Sequence, residues 1–272
     1  MTINCNGKLI SLESPKIMGI LNLTPDSFFD GGKYKKEKEI LQQTEKMLQE
    51  GAFCIDVGAY SSKPNAKNVS TEEELQRLLP IVQLLTQEFP DIILSIDTFR
   101  SEVAKSAIDN GAAMINDISG GNLDEQMMKT VGELKVPYIL MHMRGNPQTM
   151  QSLTQYDDLL QDLVYYFSEK VAQARSFGIN DIILDPGFGF AKTTHQNFEL
   201  LKNMKILEVL ELPLLAGLSR KSMIYKTLDI SAKEALNGTS VLNVLALQQG
   251  AKILRVHEVK EARECIQLVA QL

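Results

Sequence analysis

The sequence predicts an α/β fold, a single-domain (β/α)8 TIM barrel running from residue 1 to residue 272. Three observations predict it. Short apolar runs alternate with stretches of helical spacing along the whole chain, and no low-complexity linker divides it into halves. Several of the apolar runs also end on a polar residue, namely Asn22, Asp56, Asp97, Asn116, Asp185 and Arg255. A doubly wound open sheet is the alternative that shares the first two features.

The elements follow in order. A short polar lead containing Asn4, Asn6 and Lys8 precedes the first strand, which stops at Asn22. Pro25, Asp26, Ser27, Asp30 and the Gly31-Gly32 pair cannot extend that strand and predict a loop. A helix follows over 35–51, then the strand 52–57, and the loop from Gly58 to Ala66. Ser70 is the expected N-cap, with Glu72, Glu73 and Glu74 in the first turn, of a helix reaching Phe89.

The third unit is the strand 92–98 and a helix ending near Asn110-Gly111, and the fourth is the strand 113–117 with a helix over 124–134. The fifth runs from Pro137 to His142 into a long helix starting at about Tyr156, and the sixth from Ile182 to Asp185 into a helix from about Thr194. The seventh is the strand 212–217 with helical residues broken near Asp229, and the eighth is the strand 251–257 with a closing helix.

Composition bounds the function. Hydrophobic residues at 44% and charged residues at 23% suit a globular protein with a large core. No apolar run approaches the roughly 18 residues of a membrane span, and the N-terminus has no signal-peptide core, so no membrane partner and a cytoplasmic location are expected. A net charge of −6 argues against nucleic-acid binding while leaving room for a basic pocket that takes a phosphorylated small molecule. Cys5, Cys54 and Cys265 form no CxxC pair and read as buried free thiols.

Carboxylates and carboxamides at strand ends make a hydrogen-bonding mouth. Such acceptors suit a ligand with adjacent N–H donors, such as the amino-pyrimidinone edge of a pterin or guanine. Lys221, Arg255 and His257 suit an anion, and Asn22 with Asp26 could hold a divalent cation beside a diphosphate. Asp56 has two readings, a cap or loop-amide acceptor and a wall of the pocket. His142 reads as a satisfied structural histidine, and His195 has no assigned role. Gly187 and Gly189 lack the third glycine of a dinucleotide fingerprint.

These motifs, taken together, resemble the dihydropteroate synthase family. The resemblance rests on Gly19-Ile20-Leu21-Asn22-Leu23-Thr24-Pro25-Asp26-Ser27-Phe28, on Asp56-Val57-Gly58 through Ser62-Lys63-Pro64, and on Asp185-Pro186-Gly187-Phe188-Gly189-Phe190. Ser95-Ile96-Asp97-Thr98, Ile115-Asn116-Asp117-Ile118, Met141-His142-Met143, Ser219-Arg220-Lys221-Ser222 and Arg255-Val256-His257 add to it. It implies a TIM barrel that joins 6-hydroxymethyl-7,8-dihydropterin diphosphate to para-aminobenzoate, the step that sulfonamides block, and a homodimer formed through outer helices.

By the same resemblance Asp97, Asn116, Asp185 and Lys221 would hold the pterin, and Asn22, Arg255 and His257 the diphosphate and its Mg²⁺, with Asn22 as the metal ligand. Ser62, Lys63, Phe190 and Ser219 would border para-aminobenzoate. Asp97, Lys221, Arg255 and His257 would then act in a dissociative substitution that needs no Ser-His-Asp triad. Where the family commonly has Thr-Arg-Pro-Gly, this chain has Ser62-Lys63-Pro64-Asn65, which loses the planar fork of arginine and is expected to alter aminobenzoate binding. The loop from Leu23 to Gly32 is expected to act as a lid. A pterin-binding methyltransferase with a corrinoid partner, and a pterin-binding protein without catalysis, are the two other readings.

Overall fold

The computed structural model describes residues 1–23, 33–60 and 69–272, with side chains of the first helix from residue 37 onward. Ser62, Lys63 and the expected lid beyond Leu23 lie outside the described residues. The chain opens with β1 (Thr2–Cys5) and β2 (Lys8–Ser11), then β3 (Lys16–Asn22), α1 (Lys33–Glu50), β4 (Cys54–Gly58), α2 (Thr71–Glu88), β5 (Leu94–Asp97) and α3 (Ser101–Asp109). It continues through β6 (Met114–Asp117), α4 (Met127–Leu134), β7 (Tyr138–Met141), α5 (Leu159–Ser176), β8 (Ile182–Asp185) and α6 (Thr194–Asn203). The last elements are β9 (Leu214–Ala216), α7 (Ser222–Leu228), α8 (Leu236–Gln248), β10 (Ala251–Val256) and α9 (Val259–Val269).

Strands β3 to β10 close into a barrel in which β10 pairs in parallel with both β9 and β3, which removes the open sheet as an alternative. Strands enclosed on both faces carry apolar runs, and β4, β6, β7 and β8 are buried at every residue. Helix starts follow local chemistry. Ser70 accepts from Glu73 N and so begins α2 at the expected place. Asp158 accepts from Leu160 N and Gln161 N, which delays α5 to Leu159, a turn later than the apolar spacing from Tyr156 predicts.

The polar lead is the main correction to the expected elements. Residues 2–11 form an antiparallel hairpin whose turn, Asn6 (φ 51°) and Gly7 (φ 79°), uses two left-handed residues, as a two-residue turn between twisted strands requires. Alternation buries Ile3 and Cys5, and with Leu12 they pack on Met18, Cys54, Met114, Ile139, Ile183 and Ile253 inside the barrel. Four strand residues with polar side chains concealed this short apolar face from a reading of the sequence. The hairpin plugs the N-terminal end of the barrel, so the polar strand ends open only at the other mouth.

Candidate active site

Asp56 is the hub of that mouth. It sits on β4 with no solvent exposure, and its Oδ1 accepts from Ser95 Oγ at 2.6 Å. Its Oδ2 accepts from Asn116 Nδ2 at 3.0 Å and from Arg255 Nε at 2.6 Å. The cap-or-loop reading of Asp56 is therefore replaced by a role in binding three strand ends together. Barrel closure makes this possible, because β10 pairs with β3 and Arg255 reaches past it to β4 and β5. There Arg255 Nη2 donates to Asp97 Oδ2 at 2.8 Å.

The two carboxylates differ in what they have left to offer. Asp56 is fully buried with both oxygens bonded within the protein, whereas Asp97 keeps a partly exposed carboxyl with Arg255 on one oxygen. Burial pushes Asp97 up to about 7, against the pull of Arg255 and with a further push from Asp56, Glu74 and Asp117. Gly58 lies beside it, where a Cβ would stand 3.3 Å from Asp97 Cβ. Asn116, having given its amide hydrogen to Asp56, retains its carbonyl oxygen as an acceptor.

A second cluster faces the first. Asp185 Oδ1 accepts from Gly187 N at 2.8 Å, and burial raises its carboxyl, opposed by that bond and by Lys221, Arg255 and Lys192. Lys221 Nζ donates to Phe188 O at 2.5 Å and lies 4.4 Å from the Phe190 ring centroid, a cation–π contact. Burial pulls Lys221 down to about 8, with Asp185 and Asp97 resisting and Arg255 assisting. The left-handed Arg220 (φ 54°) just before it lets Ser219 and Lys221 leave the chain in different directions.

The structure places Ser219 against His257 rather than leaving it free. Ser219 Oγ lies 2.8 Å from His257 Nδ1, accepts from His257 N at 3.3 Å and is 3.5 Å from Glu258 Oε2. Arg220 holds that glutamate through Nε at 2.8 Å. Glu258 thus contacts the serine and not the histidine ring, so the order of a nucleophilic triad is absent. His257 lies one residue past β10 with an open edge. Enclosure of the rest of the ring, and then Arg255, Arg220 and Lys221, push it down to about 4 against Glu258.

Asn22, at the end of β3 in register with Gly58, is half-buried, and its carboxamide has no protein partner among the described residues. No group of three or more histidine, cysteine or acidic side chains among the described residues forms a metal cage. A carboxamide oxygen of this kind fits a hard cation that brings most of its ligands as water and phosphate oxygens. His142 is buried as expected and bonded to Lys192, and the three thiols are buried and unpaired. A cavity of about 540 Å³ opens beside the mouth, between Arg144, Tyr165 and Tyr166; His142 lines it, while Asp56, Asp97, Asn116, Asp185, Lys221, Arg255 and His257 do not.

Sequence reasoning missed two supports. Glu74, read only as a first-turn acid, is 1% exposed and accepts from Thr98 Oγ1 at 2.7 Å and from Arg100. Arg100 also donates to Val69 O at 2.6 Å, so one ion pair ties the start of α2 to the end of β5 beside Asp97. Lys192 is the second. The signal for Glu74 was its spacing, four residues before Leu78, on the buried face of α2.

The pterin binding enzyme family matches residues 18–257. A dihydropteroate synthase of Synechocystis is 49% identical over 247 residues, 90% of this chain and 85% of its own. A crystal structure of the Yersinia pestis dihydropteroate synthase with a sulfonamide drug complex superposes with a TM-score of 0.93 at 40% identity, covering 100% of this chain and 98% of that one. The Xanthomonas albilineans dihydropteroate synthase with 4-aminobenzoic acid superposes with a TM-score of 0.92 at 35% identity, covering 99% and 97%.

Proposed function

The chain belongs to the pterin binding enzyme family, among the dihydropteroate synthases, which are transferases of folate synthesis, and from that premise we propose how its residues divide the reaction. The reaction condenses 6-hydroxymethyl-7,8-dihydropterin diphosphate with para-aminobenzoate to give 7,8-dihydropteroate and pyrophosphate. One observation carries the assignment: acceptors from Asp97, Asn116 and Asp185, cations from Lys221 and Arg255, and the neutral His257 ring belong to one electrostatic cluster at one barrel mouth.

Asp97, Asn116, Asp185 and Lys221 hold the pterin. Asp97 and Asp185 each retain carboxylate capacity for ring N–H donors, and Lys221 donates from above the Phe190 ring. Arg255 has committed Nε and Nη2 to carboxylates, which leaves Nη1 to meet the diphosphate beside His257. The bond between the pterin methylene and the diphosphate oxygen breaks first, and its electron pair departs with the diphosphate. Positive charge spreads into the electron-rich ring, where ionised Asp97 stabilises it. The neutral aromatic amine then attacks the methylene carbon and releases its proton to solvent, so no dedicated base is needed.

Mg²⁺, held by Asn22 and the diphosphate oxygens, would neutralise part of the leaving group's charge when bound. Phe190 borders para-aminobenzoate, and Ser219 contributes there by fixing His257. Ser62 and Lys63 complete that side in this proposal. Exposed Leu228, Val241 and Leu245 on α7 and α8 support a homodimer through outer helices. No helix among the described residues is long and apolar enough to cross a membrane; a cytoplasmic setting is part of this proposal.

A pyrophosphate-release assay tests the assignment. Release should require the pterin diphosphate, para-aminobenzoate and Mg²⁺ together. Pterin binding without release would favour a binding protein instead, and methyl transfer dependent on a corrinoid would favour the methyltransferase reading.

A further inference from the structure

Behind the mouth, an ammonium is buried that the reaction as assigned does not use. Lys192 is 5% exposed, and its Nζ donates to Gly187 O and Phe190 O, each at 3.1 Å. Its third neighbour is His142 Nδ1 at 2.9 Å. An ammonium has three N–H donors, and these three acceptors use them all. Burial pulls Lys192 down to about 7, with Asp185 resisting; in its charged form it makes His142 accept at Nδ1 and carry its hydrogen on Nε2. Burial, with Lys192 and Arg144 nearby, holds the ring neutral, and it is fixed edge-on to Tyr166 at 4.8 Å.

The same short loop serves both this ammonium and the substrate side. Gly187 (φ 71°), Gly189 (φ 82°) and Ala191 (φ 48°) are all left-handed, so the chain curls around Lys192 Nζ. On the other side of that curl, Phe188 O accepts from Lys221, the Phe190 ring lies under Lys221, and Gly187 N donates to Asp185. The backbone carbonyls of Gly187 and Phe190 thus point to the strut while their neighbours meet the catalytic groups. A Cβ on Gly187 would stand 2.1 Å from His142 O, so the curl is pressed directly on the backbone of the histidine just past the end of β7.

We propose that Lys192, held by His142, is a positioning residue that fixes the Asp185–Phe190 loop and so sets the binding geometry of Lys221, Phe190 and Asp185. The proposal rests on the assignment of Lys221 and Asp185 to the pterin and Phe190 to para-aminobenzoate. Neither Lys192 nor His142 touches substrate. The loop is held from behind, and its loss is felt as weaker binding more than as slower chemistry.

The test compares Lys192→Met, His142→Leu, His142→Asn and Phe190→Ala in the full chain, with folded sites counted before kinetics. Lys192→Met should raise the KM for para-aminobenzoate and the Kd for free pterin about tenfold, with kcat per folded site changed less. His142→Leu should follow it, whereas His142→Asn keeps an acceptor near the former Nδ1 and should stay within about threefold of the parent. If Lys192→Met does not fold, the contrast between the two His142 variants, read by pterin fluorescence, carries the same decision. Parental KM and Kd in Lys192→Met or His142→Leu, with only the melting temperature lowered, would overturn the strut. If Phe190→Ala also leaves the aminobenzoate KM unchanged, the aminobenzoate assignment of that loop fails as well.

Discussion

Asp56 binds Ser95, Asn116 and Arg255 at once, and every partner lies on a different strand. Asp56→Ala would leave the guanidinium and the amide facing a void, and should destabilise the fold by about 3 kcal/mol, the usual cost of removing one member of a buried pair. Urea unfolding measures it, and a loss within error of zero would contradict the hub. The residue itself was legible as a polar strand end. Its task was not, because which strands meet inside a barrel depends on closure between residues as far apart as 56 and 255.

Asp97 titrates at a different place from an ordinary carboxyl, with consequences of opposite sign for stability and binding. Its folded value of about 7 lies above the unfolded value near 3.8, so the native state keeps a proton that the unfolded chain has released in between. Its contribution to stability therefore falls as pH rises through that window. Pterin affinity should instead increase as pH passes about 7 and the carboxylate forms. Arg255→Met removes the cation that pulls the carboxyl down, so the midpoint of a pterin fluorescence titration should move to higher pH. An unmoved midpoint would assign the titration to another group.

Among the elements, the β1–β2 hairpin separates stability from function. Leu12 and Ile3 fill the closed end of the barrel, away from the polar mouth. Leu12→Ala should cost about 3 kcal/mol from lost burial and the cavity left behind, with KM and kcat per folded site unchanged. A shifted KM in that variant would mean that the plug is coupled to the mouth. The eight barrel strands were legible because buried parallel strands are continuous apolar runs. The hairpin was not, since its alternating face is only two residues deep on β1 and its outward side chains read as a polar lead.

Across the whole molecule, closure of β10 onto β3 converts scattered polar residues into one mouth. The cations of the last two units, Lys221 and Arg255, meet acceptors from β4, β5 and β8 only in the closed form, beside the neutral ring of His257. The chemistry of those residues could be read in advance, including the pterin-like donor pattern they select. The support from Lys192 could not, because a buried charge of this kind declares itself by its partners and not by its position in the chain, whereas Glu74 had a signal in its spacing on the buried face of α2.

The most direct measurement is pyrophosphate release by Asp97→Asn, which keeps an acceptor for Arg255 but removes the negative charge beside the pterin. With saturating pterin diphosphate, para-aminobenzoate and Mg²⁺, kcat should fall by about a hundredfold while the circular dichroism spectrum is unchanged. A parental rate in that variant would contradict charge stabilisation by Asp97 at the barrel mouth.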